Sequence, residues 1–397
     1  PSARLLDLTR TLRRAGRMPT GVDRVEHAYL TQFLADDVAC FGLVRTTFGY
    51  LLLDRQGLQG VLDRVEGRTD WGDCDHLTRL SRNGNTIVKR AEADFRRLAV
   101  GRSTPWFLRH LCKKLPDKCA YYNVGHSNLT DRVLSALKRA GVHLTVLVHD
   151  VIPLEYPQFQ RRGTVEPFRA KIKRVRQCAD LVIYNSEDTR DRTEAQMKQW
   201  GALPQGLVAH LGTITPVPDS AALPPSLPPE QPYFVTVGTI EPRKNHIFLL
   251  DIWQQLGPDA PVLLICGARG WNNDVVFDRL DALDPNGPVR EIANLSDAAL
   301  AALVQGAAGA LFPSLAEGFG LPPCEALALR TRVLCNDLPV LHEFLGYMPV
   351  YASVSDRYQW QKIITSWAND AKQDEISQSF VGPTWTEHFS TVLSAPN

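Results

Sequence analysis

Two α/β domains facing across a cleft, each a doubly wound parallel sheet, are what this sequence predicts, and three observations lead there. The chain has 397 residues, well over twice the roughly 150 of a typical single core-bearing domain. Short, β-branched apolar runs alternate with stretches of helical period along most of its length. A proline-dense stretch at 216–232 interrupts this pattern near the middle, removing the backbone donors that helices and sheets need and reading as a semi-rigid linker.

Before the linker, strand candidates are 144–148 (LTVLV) and 181–184 (LVIY); after it they are 233–237 (YFVTV), 262–266 (VLLIC), 310–312 and 333–335. Continuous apolar strands between helices belong to parallel sheets covered on both faces, and ligands of such sheets bind outside the carboxyl ends of the strands. Near the end, 360–367 and 385–393 read as helices separated by Gly382-Pro383, and Trp385, Phe389, Val392 and Leu393 share one apolar face. The expected division is a first domain at 1–215, the linker at 216–232 and a second domain at 233–383. A closing helix at 384–397 is expected to pack back on the first domain.

Composition excludes several classes. Apolar residues make up 44% and charged residues 22%, which rules out wholesale disorder, a collagen-like repeat and a coiled coil. With 44 Lys and Arg against 43 Asp and Glu, the chain does not bind nucleic acid over its whole surface. The eight cysteines form no Cys-x-x-Cys pair, so buried reduced thiols are expected rather than a zinc site. No apolar run approaches the ~18 to 20 residues of a membrane span, and the start of the sequence lacks a signal-peptide core, so a cytoplasmic protein is expected. Charge is nonetheless segregated. Segment 82–118 carries ten Lys or Arg against three acids, and 160–176 carries seven against one. Trp106, Phe107 and Leu108 lie among the first set. Both segments are expected to form an acceptor-side surface or a peripheral contact with the inner face of a membrane.

Two constellations carry chemistry. After the strand ending Val237-Gly238 comes Glu241-Pro-Arg243-Lys244-Asn245 and then a helical stretch. A glycine at a strand end admits a ligand to the backbone, and adjacent cations of different geometry suit a diphosphate. After 310–312 comes a loop with Glu317, whose glycine-flanked amides at Phe319, Gly320 and Leu321 can face a ligand; Glu325 follows on a helix. Two carboxylates eight residues apart can grip two hydroxyl-bearing parts of one molecule. The segment Pro19-Thr20-Gly21-Val-Asp23-Arg24 reads as a glycine loop with a capping box, leaving helix amides free beside Gly21.

Taken together, VGTIEPRKN at 237–245, the lead-in 295–300 and FPSLAEGFGLPPCEALAL at 312–329 resemble the retaining, nucleotide-sugar-dependent glycosyltransferases with a Glu-x7-Glu motif and two Rossmann-like domains, the GT-B fold. LVHDVIPLEYP at 147–157, ADLVIYNSEDTR at 179–190 and VAHLGT at 208–213 extend the likeness over nearly the whole chain. The resemblance implies catalytic roles for His149, Glu317, Arg243 and Lys244. Arg243 and Lys244 would hold the donor diphosphate near Gly238, Glu317 the donor sugar and Glu325 the ribose. The base would be read at 290–293, around Ile292, and Gly21 would face the donor, with Asp150 on the acceptor side. It implies no cofactor beyond the nucleoside-diphosphate sugar, no metal, and a glycan or lipid-linked glycan acceptor, with subgroup likeness favouring a mannose-type donor in bacterial polysaccharide assembly. Leu329-Arg330 and Ala293 depart from the family pattern and alter the base pocket. His126, in a stretch seen in surface-polysaccharide members, is read as structural. A sugar-nucleotide epimerase of the same fold would turn over donor without acceptor; a glycan- or nucleotide-binding subunit would have no need of the intact Arg243, Lys244, Glu317 and Glu325. A nicotinamide dehydrogenase would need a Gly-x-Gly-x-x-Gly that is missing after the early strands.

Overall fold

The computed structural model describes residues 1–80, 85–370 and 380–395. Among the described residues, fourteen strands form two sheets. The first contains β1 (Ala3–Asp7), β2 (Ala39–Thr46), β3 (Gly49–Leu53), β4 (Gly101–Ser103), β5 (Cys119–Asn123), β6 (His143–Val148), β7 (Leu181–Tyr184) and β8 (Gln205–Val208). Its order is β4-β3-β2-β1-β5-β6-β7-β8. The second contains β9 (Tyr233–Val237), β10 (Val262–Cys266), β11 (Val289–Ile292), β12 (Gly309–Phe312), β13 (Val333–Cys335) and β14 (Val350–Tyr351), in the order β11-β10-β9-β12-β13-β14.

The second sheet is parallel throughout, and β9, β10, β12 and β13 are apolar and buried nearly end to end, as helices on both faces require. The first sheet is parallel from β2 to β8, but β3 pairs antiparallel with both β2 and β4. The sequence pattern did not single out that edge, because Gly49 at φ 145° turns the hairpin in a stretch with no conspicuous turn signal.

Each sheet has one switch point where the chain leaves one side and resumes on the other: between β1 and β5 in the first, between β9 and β12 in the second. Loops after the two strands flanking such a point diverge and leave a crevice. The chain therefore brings together, from distant parts of the sequence, the loop after β9 with that after β12, and the loop after β1 with that after β5.

The stretch 216–232 contains one short turn of helix, Ser220–Ala222, and lies along the second sheet's helices, with the Asp219 amide donating to the Ala298 carbonyl at 3.1 Å. The helix Trp385–Ser394 packs on the first sheet's layer. His388 Nε2 meets the Tyr29 hydroxyl at 2.8 Å, and the Phe389 ring lies edge-on to Tyr29 with centroids 4.9 Å apart. Residues 371–379 and 396–397 of the two expected C-terminal segments lie outside the described residues.

Candidate functional site

Glu241-Pro-Arg243-Lys244 forms a single 3-10 turn, Pro242–Lys244, immediately after β9. Asn245 follows in the left-handed conformation, φ 57°, and starts the helix His246–Leu256. This turn throws both cations toward the loop after β12. Arg243 Nη1 donates to Glu317 Oε2 at 2.7 Å and Lys244 Nζ to Glu317 Oε1, while Arg243 Nη2 lies 2.9 Å from Glu241. The Arg243 carbonyl also accepts from the Leu315 amide at 2.7 Å, so the two loops are stitched through backbone as well. Burial alone would push Glu317 up, but the charges of Lys244 and then Arg243 reverse it and hold the carboxyl at about 2. Burial lowers Lys244 despite Glu317, whereas for Arg243 the attraction of Glu317, Glu241 and Asp150 outweighs burial and raises it. An ionised carboxylate thus sits on two buried cations at the place where an incoming dianion would be neutralised.

Gly238 has φ 140°, which requires glycine, and its open side is filled by the Lys244 stem rather than left for a ligand. Gly267 packs backbone to backbone against it, since a Cβ there would fall 1.9 Å from the Gly238 carbonyl oxygen. Phe319 turns its ring into the second domain, stacked on Phe344 at 4.2 Å, so only its backbone can serve a ligand. Gly320, at φ 101°, caps the helix Leu321–Ala328. Pro322 and Pro323 have no N–H, so the free donors at this helix start reduce to Leu321 and the loop amides before it. Glu325 stands one turn into that helix rather than in its first turn. Ile292 ends β11, and its carbonyl accepts from Gly267 at 3.0 Å.

The first domain supplies the opposite wall. His149 follows β6 and is 7% exposed; its Nε2 donates to the Val124 carbonyl at 2.6 Å, and burial lowers it to about 4. A neutral ring protonated on Nε2 presents Nδ1 as an acceptor. His126 packs edge-on to it at 5.1 Å with its own Nε2 on the Leu147 carbonyl, a structural role. Asp150 lies nearer the donor side than expected: a Cβ on Gly318 would come within 2.6 Å of the His149 carbonyl oxygen and 3.3 Å of Asp150 Oδ2. Only glycine lets these loops meet, and Thr189 Oγ1 seals the contact on the Gly318 carbonyl at 3.0 Å. Gly21 starts the helix Gly21–Ala35 facing Leu321, 3.4 Å from where its Cβ would stand. Asp23 closes the capping box and binds Arg10 and Arg14 at 2.6 Å each.

Several cross-cleft residues had not been singled out. Arg24 reaches Glu325 and Asp297, both at 2.9 Å. Glu343 accepts from the Glu187 amide at 2.7 Å, capping the helix Glu187–Lys198 from the other domain, and meets His210 Nε2 at 2.6 Å. Trp271 Nε1 donates to the Phe159 carbonyl at 3.0 Å. A small, open pocket lies between Arg24, Pro216, Val237, Leu300, Pro322 and Glu325.

The basic segments are less uniform than their charge count suggests. In the helix Thr86–Leu98, Arg96 is 4% exposed and binds Asp75 and Glu92, while Arg97 binds Asp94. These cations hold the interior together rather than facing a partner; residues 82–84 lie outside the described residues. Arg102, Arg109, Lys113 and Lys114 remain exposed, beside Trp106 at 83% and Phe107 at 59% exposure. In 160–176, Arg161 stacks on Trp271 of the second domain and Arg174 binds the Leu129 carbonyl. No helix among the described residues is long and apolar enough to cross a membrane. All eight cysteines are free, and among the described residues no three His, Cys, Asp or Glu side chains cluster as metal ligands.

Two doubly wound domains meeting at their switch points, with cations and carboxylates on the facing loops, define a protein of the GT-B fold class. The chain superposes on the solved structure of Anabaena HepE in complex with UDP and glucose with a TM-score of 0.60 at 14% identity, over 98% of this chain and 95% of that one. More particularly, residues 223–370 match the family model of glycosyl transferases group 1. Among curated proteins the chain is similar to the serotype-specific mannosyltransferase WbdA of Escherichia coli, 29% identical over 252 residues, which are 59% of this chain and 31% of that protein. It is also similar to the O-antigen chain mannosyltransferase RfbU of Salmonella typhimurium, 27% identical over 225 residues, 55% of this chain and 59% of that protein. The chain thus spans about a third of the length of WbdA.

Proposed function

We propose that the protein transfers a hexosyl unit, mannose favoured, with retention from a nucleoside-diphosphate sugar to a glycan or lipid-linked glycan in bacterial surface-polysaccharide assembly. The observation that carries this reading is the Arg243–Lys244–Glu317 cluster at the switch point of the second domain, facing His149 and Asp150 across the cleft. Breaking the anomeric C–O bond leaves negative charge on the diphosphate, and two preorganised buried cations stabilise that charge as it develops. When the donor enters, its diphosphate takes the cations, with the amides of Phe319, Gly320 and Leu321 alongside, and Glu317 turns to the sugar hydroxyls. His149 Nδ1 accepts from a further sugar hydroxyl, and Glu325 grips the ribose. The acceptor hydroxyl attacks on the face the diphosphate leaves, giving its proton to the departing phosphate oxygen. Arg243 and Lys244 do the work a metal would otherwise do, so the reaction needs none. The mannosyltransferase relatives support the mannose-type donor.

The exposed cations at 102–118 with Trp106 and Phe107 favour a peripheral contact with the inner membrane face, where a lipid-linked acceptor would lie. Incubating the protein with GDP-mannose and other nucleotide sugars, with and without polyprenyl-linked glycan, and following nucleoside diphosphate release tests the reading. Acceptor-dependent release supports it; rapid acceptor-free conversion of the donor supports the epimerase instead.

A further inference from the structure

The first turn of a helix is an unfavourable place for a cation, because unpaired N–H groups already give that end a partial positive charge. Arg24 nonetheless stands there, three residues after Gly21 in the helix Gly21–Ala35. The neighbouring acid that would balance it, Asp23, is occupied by Arg10 and Arg14. Its guanidinium instead leaves its own domain. Nη1 donates to Glu325 Oε1 and Nη2 to Asp297 Oδ1, each at 2.9 Å, so one planar fork joins two acids of the second domain from across the cleft.

The groups facing Glu325 are few: Arg24 from the first domain, Asp297 from the helix Asp297–Gln305, and on its own helix the Cys324 thiol, which burial keeps protonated. Burial raises Glu325, Arg24 pulls it back down and Asp297 adds to the rise, leaving the carboxyl at about 7. Near neutrality this carboxyl is therefore poised between its two forms, and Arg24, from the other domain, is the cation that favours the ionised one. That matters for what Glu325 can hold. An ionised carboxylate accepts from two vicinal hydroxyls at once, whereas a protonated one keeps a single good acceptor oxygen and brings a donor of its own.

We propose that Arg24 is a positioning residue of the nucleoside end of the donor site: its guanidinium aims the Glu325 carboxylate into the pocket and is the cation that favours its charged form, so that a ribose diol is gripped fully only when the two domains are together. The inference rests on Glu325 as the ribose-binding group, and it adds a residue of the first domain to a site otherwise built from the second. Asp297 becomes the opposing member, anchoring the guanidinium while adding negative charge beside Glu325.

Calorimetric titration of GDP and of UDP across about pH 5.5 to 8.5, for wild type, Arg24→Lys, Arg24→Gln and Asp297→Asn, tests this. The nucleotide's terminal phosphate titrates in the same range, but identically for all four proteins, so differences belong to the protein. Wild type is expected to bind one of the nucleotides, more weakly on the acid side. Arg24→Gln, losing a charge-assisted bond, should weaken binding on the order of tenfold to a hundredfold near neutrality and move the acid limb to higher pH. Asp297→Asn should move that limb the opposite way, and Arg24→Lys should keep it near the wild-type position. A limb that stays in place in both Arg24→Gln and Asp297→Asn, whatever the change in affinity, overturns the inference while leaving the donor site intact. Wild type binding neither nucleotide overturns the donor-site reading and this inference with it. Because the Arg24 side chain is 31% exposed, its substitution leaves no sealed cavity, and Asp297→Asn gives an independent reading of the same carboxyl.

Discussion

Replacing Lys244 by Met removes one ammonium from a four-membered ion cluster with Arg243, Glu241 and Glu317 while keeping the stem that fills the space beside Gly238. Glu317 is held at about 2 against an ordinary 4.5, so its ionisation contributes a net of about 3 kcal/mol of stability at neutral pH, after the cost of its burial. Because the folded value is depressed, that stability is present above pH 4.5 and is lost as pH falls toward 2. Arg243 stays on the other oxygen but the cost of burial remains, so the variant should lose most of this, about 2 to 3 kcal/mol, at or below the low end of the ~3 to 5 kcal/mol typical of breaking an isolated buried pair. Turnover should suffer more. A preorganised cation on a leaving diphosphate is worth about 3 to 4 kcal/mol in the transition state, a loss of roughly 10² to 10³ in kcat. Urea unfolding at neutral pH and kcat with the nucleotide sugar accepted by wild type give the two numbers. The double variant Lys244→Met, Glu317→Gln separates the roles, since it removes ammonium and carboxylate together. Stability should return toward wild type while turnover stays low. A kcat within about threefold of wild type in the single variant, or recovered along with stability in the double, would refute the assignment of Lys244 to the leaving group.

Activity should persist in excess EDTA, as the charge on the departing diphosphate falls to Arg243 and Lys244; complete loss restored by magnesium or manganese would place that work on a metal. Vesicles containing anionic phospholipid should co-sediment the protein at low salt and release it at high salt, at about 1 kcal/mol per basic side chain near the surface, and the pair Trp106→Ser, Phe107→Ser should weaken the binding; failure to bind even at low salt would leave those side chains merely solvated. His388, buried against Tyr29, is lowered by burial to about 4 from 6.5, so the unfolded chain takes up its proton first and stability should fall as pH drops from 6.5 toward 4. His388→Gln should flatten that decline in urea midpoints; parallel curves for variant and wild type would show that His388 does not titrate as its burial implies.

Four strands of the second sheet were legible because each is a short apolar run buried on both faces: 233–237, 262–266 and 333–335 coincide with β9, β10 and β13, and 310–312 lies within β12, whereas the partly exposed β11 and β14 did not stand out. In the first sheet β1, β3 and β5 are buried end to end as well, but β1 and β5 carry Arg4, Asp7 and Asn123 within them, and only β6 and β7 stood out as apolar runs. β2 carries a glycine and an arginine, β8 is partly exposed and β3 joins by an antiparallel hairpin, so their apolar periods are broken. The loops after β9 and β12 could be read as chemically interesting, but their juxtaposition follows from strand order, which no local pattern encodes. The same holds for Arg24, Glu343 and Trp271, whose partners lie more than a hundred residues away. Arg24 alone carried a local clue, a cation at the wrong end of a helix. The charge of segment 82–118 misled for the converse reason: Asp75 lies just before the window, and Glu92 and Asp94 inside it absorb Arg96 and Arg97 without changing the count.

The helix Trp385–Ser394 completes a layer begun by Tyr29, Phe33 and Tyr122, with the whole second sheet intervening along the chain. On the ribosome, the aromatic face around Tyr29 is made more than three hundred residues before the segment that covers it emerges. The second domain, by contrast, has all its strands in one uninterrupted stretch and can fold as soon as that stretch is out. Synthesis therefore passes through a stage in which the later-made half is native while the earlier-made half still shows a sticky aromatic surface. A chaperone that holds such surfaces should be needed most at that stage, and ribosome stalling before residue 385 should yield a chain that aggregates through its first domain.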